Sequence, residues 1–481
     1  EGDIRTQGSR ISAEGDAQFI AKNNVDFGVA VHTQSQQAST KSGGFSLDGT
    51  AKYVAGVNAQ RERGETELRQ EVGSTISVGG KATTIAQQGD ITLKGTAFVA
   101  GGQNRLQANE GNVSLTTAQT TEQGSQSRKG HAVGEAVISE TERFFGYNRT
   151  RMNQDGESTN HRGSNLTSLN SVVSVYAGKD YHQTASEVLA KEKADISAQH
   201  ITIDNAINHQ ANSQSESDLK IGQFTRVKSP IIDLLNTIES AVKNDRASDR
   251  LQAANAMSMA AQGYSVYNAV NKMITKDPKS NTYLFRVESG TGVAHSRQSQ
   301  EGLADISVGS RINAKDINLI ARGDDNQKAN EKGERQLGSI NLTHTDLTSR
   351  DEQGKRIQDS HITLTGNKLN IQAGENHTQF KGRNQSVGVE VGMAATVGAQ
   401  TGVGVYARVG GSSGKEDGES KTYQASHLDA QTVTLNSQGD TNLLASQVKG
   451  NTVNANVGGK LNIESLQDEE RFKTKSSGGG L

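Results

Sequence analysis

The chain has 481 residues, enough for about two to four ordinary domains, but only 32% of it is hydrophobic, 4% is aromatic, and tryptophan is absent. A compact core of this size needs more large side chains than that. Charged residues make up 22% with both signs mixed and a formal net charge of −2, so no basic stripe speaks for nucleic acid; zero cysteine excludes disulfides, thiolate metal sites and a thiol nucleophile.

Such a chain hides little surface per residue and holds together through backbone hydrogen bonds. With 53 glycines and 2 prolines, it fits an elongated β-solenoid whose coils each bury a few small aliphatics. In chain order, residues 1–120 read as β-helix coils with a polar excursion. GSRISAEGDAQFIAKNN starts at Gly8 and GSTISVGGKATTIAQQGD at Gly73. Each opens with Gly-Ser, alternates apolar and polar residues, turns at a small or polar corner and alternates again, as short inward-facing strands do. HTQSQQASTKSGG (32–44) reads as a solvated hairpin tip or loop that leaves the rod, and 76–119 is a clean array of coils of roughly 20 residues.

Residues 121–160 read as a polar loop or hairpin. Coils resume over 161–228 with GSNLTSLNSVVSVYAGKD from Gly163. Over 229–280 the pattern turns α-helical: Pro230 suits a first turn, and Ile231, Leu234, Leu235, Ile238 and Val242 share one face. A membrane-active hairpin is the sharper interpretation of this insertion. Its evenly spread charges favour docking on the rod or packing against itself. Residues 281–385 return to β-strands and coils, with GSRINAKDINLIARGDDN from Gly309. Residues 386–425 alternate valine with small residues and read as an extended hairpin followed by a polar loop (GGSSGKEDGES, 410–420). Coils occupy 426–470, within an array running from His361 to Asp468. Residues 471–481 read as the start of another repeat, so the chain is expected to be a piece of something longer. No apolar run approaches the ~20 residues of a helical membrane span, and no stable transmembrane span is expected.

Arg322-Gly323-Asp324 matches the tripeptide that integrins read. TIAQQGDIT, VYAGKDYH, NIQAGENHT and LNSQGDTNL put a glycine, often followed by an acidic residue, at the same place in their coils. The tripeptide is therefore expected to be an exposed corner, glycine supplying positive φ and aspartate capping the turn. Arg322, Gly323 and Asp324 are its candidate binding residues. β-Helices also host lyases and hydrolases, whose chemistry needs carboxylates paired across a cleft. Asp324-Asp325, Glu416-Asp417 and Asp468-Glu469-Glu470 sit in polar text without aromatic platforms and read as solvated corners. A carbohydrate-active enzyme is thus the alternative, and no enzyme the expectation. The 11 histidines show no metal-site spacing. His200 and His209 flank ITIDNAIN and read as strand-edge residues. No catalytic residue, metal or cofactor is expected.

GDTNLLASQVKGNTVNANVGGKLNIESLQD (439–468) closely resembles the haemagglutinin repeat of the filamentous haemagglutinin and contact-dependent growth inhibition exoproteins. DRLQAANAMSMAAQGYSVYNAV followed by SVGVEVG is similar to that family's order of parts. The resemblance is strongest over 360–470 and looser before Gly163. It implies a right-handed parallel β-helix, secreted to the bacterial cell surface by an outer-membrane two-partner secretion transporter. It also implies an internal stalk or delivery segment that acts in adhesion or contact-dependent toxin delivery through an unknown target-cell receptor.

Overall fold

The computed structural model describes residues 2–46, 53–139, 141–228, 283–327, 329, 335–398 and 401–481. The helical insertion expected over 229–280 lies outside them.

The fold is all-β, built from three sheets that the chain visits in rotation. The first coil shows the cycle: Ile4–Gln7 on one face, Arg10–Ala13 on the second, Ala17–Ala21 on the third, and Val25 back on the first. The second and third faces are nine-stranded parallel sheets. Because strands pair in parallel with the same face of the next coil, equal positions stack. Ile76, Phe98, Leu166 and Val188 form one such column on the second face. Alternate side chains point inward and are buried, as in Ile91–Lys94 and Val113–Thr116. The core is accordingly one narrow aliphatic column, thickened near its start by Phe19, Phe27 and Phe98, whose rings meet edge to face at 5.3–6.1 Å. Few large residues suffice because each coil is only three strands around.

Polar ladders hold the corners. From Asp3 through Asn24, Asp90, Asn112 and Asp180 to His200, each side-chain oxygen accepts the backbone N–H one coil on, at 2.7–3.2 Å. The sequence separations along this ladder alternate between plain coils of 20–22 residues and long coils of 66 or 68. At the corner between first and second faces, buried hydroxyls do the same work. Ser74, Ser164, Ser186, Ser310 and Ser426 accept from backbone N–H groups of the coil before at 2.9–3.2 Å. Buried polar atoms are tolerated where such partners exist.

The long coils are where four hairpins leave the rod, all at that first-to-second-face corner. Their strand pairs are Val25–Ser46 with Tyr53–Gly73, Ala118–Ser139 with Glu142–Arg162, Ala206–Lys228 with Tyr283–Val308, and Gly374–Gly398 with Gly402–Gln424. Glu469–Gly480 leaves from the same corner and pairs with Gly402–Gln424. Plain coils alternate with hairpin coils and turn the same corner on a single left-handed residue: Gly8, Gly95, Ala185, His344 and Ala445, with φ of 41–58°. A hairpin supplies two strands per two coils. Strands in a sheet and coils in the stack share a ~4.8 Å spacing. Successive hairpins therefore fall in register, and all nine long strands join into one antiparallel sheet, a wing continuous with the first face. The stretches 32–44 and 410–420, which composition suggested as tips or loops, lie within these strands.

The Gly-Ser pairs at Gly73, Gly163 and Gly309 mark the re-entry points. Hairpin return strands press against the next coil, and an ideal Cβ on Gly73, Gly163 or Gly309 would lie 1.8, 1.8 and 2.2 Å from a neighbouring carbonyl oxygen. The serine that follows is the buried corner hydroxyl. At the plain corners, a non-glycine residue in the left-handed region costs roughly 1 kcal/mol. Ala185→Gly is therefore expected to raise the unfolding free energy by about 0.5–1 kcal/mol in urea titration.

Candidate functional site

The two faces of the wing differ sharply. On one, residues directly opposed across adjacent strands run Phe45, Val57, Val133, Tyr147, Ile221, Val293, Val389 and Val409. Apart from Tyr147 these are 43–66% exposed. Phe145, Val391, Met393 and Val405, on the same face nearer the tip, are 60–86% exposed. This apolar row crosses eight strands, roughly 34 Å at strand spacing. A contiguous exposed band of that extent marks an interaction surface. No helix of the described residues is long and apolar enough to cross a membrane; the apolar surface here is carried by strands.

On the opposite face several side chains nearer the tip are buried, although no second layer covers them among the described residues. Phe144 and Phe224 pack there at 5.0 Å between centroids with Ala136 beside them. Glu288, 1% exposed, is bracketed by Arg286 at 2.8 Å, Arg408 at 2.9 Å and Lys228 at 3.3 Å. Glu390 meets Arg226 and the Tyr406 hydroxyl, and Arg226 also holds Glu142 at 2.7 Å. The Arg226–Glu390 and Arg408–Glu288 pairs each reach across an intervening strand, so this face is concave and the apolar face convex. Burial opposes ionisation of Glu288, but Lys228, Arg408 and Arg286 outweigh it and hold its carboxyl below the ordinary glutamate range.

A glycine row makes the curl possible. Gly56, Gly134, Gly146, Gly222 and Gly292 oppose one another across five strands. A Cβ on Gly56, Gly146, Gly222 or Gly292 would lie 2.2–2.4 Å from the next strand's carbonyl oxygen. Side chains there would wedge the strands apart on the inside of the bend.

The sequence candidates fall elsewhere. Gly323 turns the corner at φ 75° and is buried. Asp324 is exposed and its Oδ1 accepts the Asn326 N–H at 2.9 Å. Arg322 folds back onto the rod: its guanidinium donates to the Ala177 carbonyl at 2.9 Å, pairs with Asp325 at 3.2 Å and lies 4.5 Å over the Tyr176 ring. Arg322→Ala is expected to cost about 1–2 kcal/mol of coil stability, readable as a lower urea midpoint.

The carboxylates singled out by sequence do not converge. Glu416 and Asp417 lie within a wing strand, Asp417 paired with Lys415 at 2.8 Å. Asp468 accepts the Tyr423 N–H, and Glu469 faces Arg471. His200 belongs to the corner ladder, with Ser339 as a second partner, whereas His209 sits in the wing between Asp305 and Glu157. Sequence reasoning missed the apolar row. Its signal was present in the period-two valines of 386–411, but alignment across strands comes from pairing alone.

The family model for the hemagglutinin repeat matches residues 1–67, 55–198 and 291–479. Over 417 residues the chain is 25% identical to the tRNA nuclease CdiA of Yersinia mollaretii, covering 82% of the chain and 13% of that protein. It is 26% identical to the deoxyribonuclease CdiA of Dickeya dadantii over 86% of the chain and 12% of the relative. It is 25% identical to the tRNA nuclease CdiA of Escherichia coli STEC_O31 over 98% of the chain and 14% of the relative. The chain thus spans about an eighth of the length of these relatives. No solved structure matches it. With repeats matched over most of its length and laid out as stacked coils, the chain belongs to the hemagglutinin-repeat family.

Proposed function

We propose that this chain is an internal, non-catalytic delivery segment of a large secreted bacterial surface exoprotein, acting in contact-dependent toxin delivery. In this reading the coils form a right-handed parallel rod, the hand that parallel crossovers favour. An outer-membrane two-partner secretion transporter exports the parent protein, and the wing meets the apolar layer of the target envelope. The relatives are named as nucleases, and the match to the repeat model supports a stalk role for the matched region. The observation that carries the reading is the apolar row crossing eight strands of a sheet whose other face buries its charges. That polarity suits a lipid-facing surface, where apolar residues point out and polar ones inward. Plain adhesion through Arg322, Gly323 and Asp324 is less favoured, because the arginine is engaged by its own rod.

The test is a co-culture competition assay with the parent exoprotein carrying Val389→Ser, Val391→Ser, Met393→Ser and Val405→Ser together. Surface display on the producing cell is expected to persist while killing of target cells falls at least tenfold. Undiminished killing would refute the reading.

A further inference from the structure

The apolar row has a charged companion on the same convex face. Four residues nearer the rod, Lys41, Arg61, Lys129, Arg151, Ser217 and Arg297 stand directly opposed across six adjacent strands. Five cations share that row, and like charges placed side by side on a sheet repel. All five are exposed, and among the described residues none of them has a salt-bridge partner. Two residues further on, Arg383, Lys415 and Lys475 carry the positive line across the last three strands. With Arg297 and the hydroxyls of Ser413 and Ser477 they line a trough of about 660 Å³.

The line of cations runs along the apolar row at an offset of roughly 13 Å over its first six strands, from four residues at strand rise, and roughly 20 Å over the last three. Polarity on this face therefore changes along the strands in bands, from apolar near the tip, through the basic row, to a row holding Glu65, Asp155 and Glu301 nearer the rod. A globular partner has no reason to present such long parallel bands. A lamellar one does, because its hydrocarbon layer and its headgroup plane are parallel and a fixed distance apart.

We propose that the cation row is a headgroup-binding belt that recognises a bilayer rich in anionic lipid, with the trough between Arg297 and Lys475 receiving a headgroup phosphate. The proposal rests on the membrane-contact reading above and deepens it: the apolar row supplies contact, and the belt supplies choice of membrane and depth of seating. The repulsion within the row is relieved when phosphates lie between the cations. Sequence gave no hint of the belt, since each strand contributes only one or two of its residues.

The test is flotation of the 481-residue chain with phosphatidylcholine vesicles and with vesicles that also contain phosphatidylglycerol. Binding to the anionic vesicles is expected to be at least about tenfold tighter and to weaken steeply with added salt. The triple variant Arg61→Glu, Lys129→Glu, Arg151→Glu should lose that preference while still floating with phosphatidylcholine. Arg128→Ser, on the concave face, should keep it. Equal, salt-insensitive binding to both vesicles would overturn the belt and leave membrane contact standing. No binding to either would overturn both. Tighter binding to a duplex oligonucleotide than to the anionic vesicles would overturn the lipid assignment. Circular dichroism of each variant separates lost binding from lost structure.

Discussion

Glu288→Ala is expected to open the outer half of the wing while leaving the rod folded. The carboxylate is almost fully buried on the concave face, and three cations converge on it. Deleting one partner of a buried ion pair typically costs roughly 3–5 kcal/mol, because the other is left uncompensated. Here the three cations are each 31–35% exposed, so water recovers part of that, and about 2–3 kcal/mol is the expected loss. Hydrogen exchange should show it as faster exchange in Tyr283–Val308 and Gly374–Gly398, with the coil strands unchanged. The wild-type contribution also depends on pH. The folded carboxyl titrates below its ordinary range, so its stabilisation is fully present above the unfolded pKa. It is lost as pH falls through the lower folded value. Acidification should therefore loosen the wing before the rod. Wing and rod opening together would show that the network is not local.

Gly163→Val is expected to have the larger effect on the whole molecule. The residue sits where the second hairpin re-enters the rod, and its Cβ would lie 1.8 Å from the Ala185 carbonyl oxygen. The nearest atoms are all backbone, of Ala185 and Ser186. Relief requires moving the hairpin or separating two coils, which breaks the hydrogen bond from the Ser164 N–H to the Ser186 hydroxyl as well. Overpacking of this kind costs about 3 kcal/mol or more. Gly156→Ala, in the middle of the same hairpin with nothing nearer than 3.9 Å, should change the unfolding midpoint by very little. A comparable loss from both would mean that glycine acts here through chain flexibility and not through close approach.

The coil text was legible because everything it encodes is local. Gly-Ser openings, period-two aliphatics and Gly-Asp corners lie within about 20 residues, and the stacked columns Ile76–Phe98–Leu166 follow from aligning them. At positions 73, 163 and 309 the recurrent Gly-Ser signalled more than a repeat boundary, since its glycine admits the returning hairpin and its serine closes the corner. The wing was legible only in part, as a hairpin at 386–425 and a loop or hairpin at 121–160, for the opposite reason. Thr33, Gln34, Ser35, Gln36 and Gln37 have no apolar alternation, and polar text of this kind reads as loop. Those residues become strand because Tyr53–Gly73 pairs beside them, a non-local contact. The functional surface is less legible still. Val57, Val133, Ile221 and Val389 are far apart in sequence and form a row only once hairpins leave every second coil. The Arg322 corner was legible as a corner, but its engagement with Tyr176 joins coils more than a hundred residues apart.

Entry of the apolar row into lipid is the central event of membrane contact. The chain has no cysteine, so single cysteines at Val57, Val133, Ile221 and Val389 can each carry a polarity-sensitive fluorophore. Ser386, on the opposite face, serves as reference. On adding vesicles the four row positions should shift to the blue together, as one band entering hydrocarbon, while Ser386 stays unchanged. Emission that stays water-like at all four positions, with the protein folded and vesicles in excess, would contradict the account.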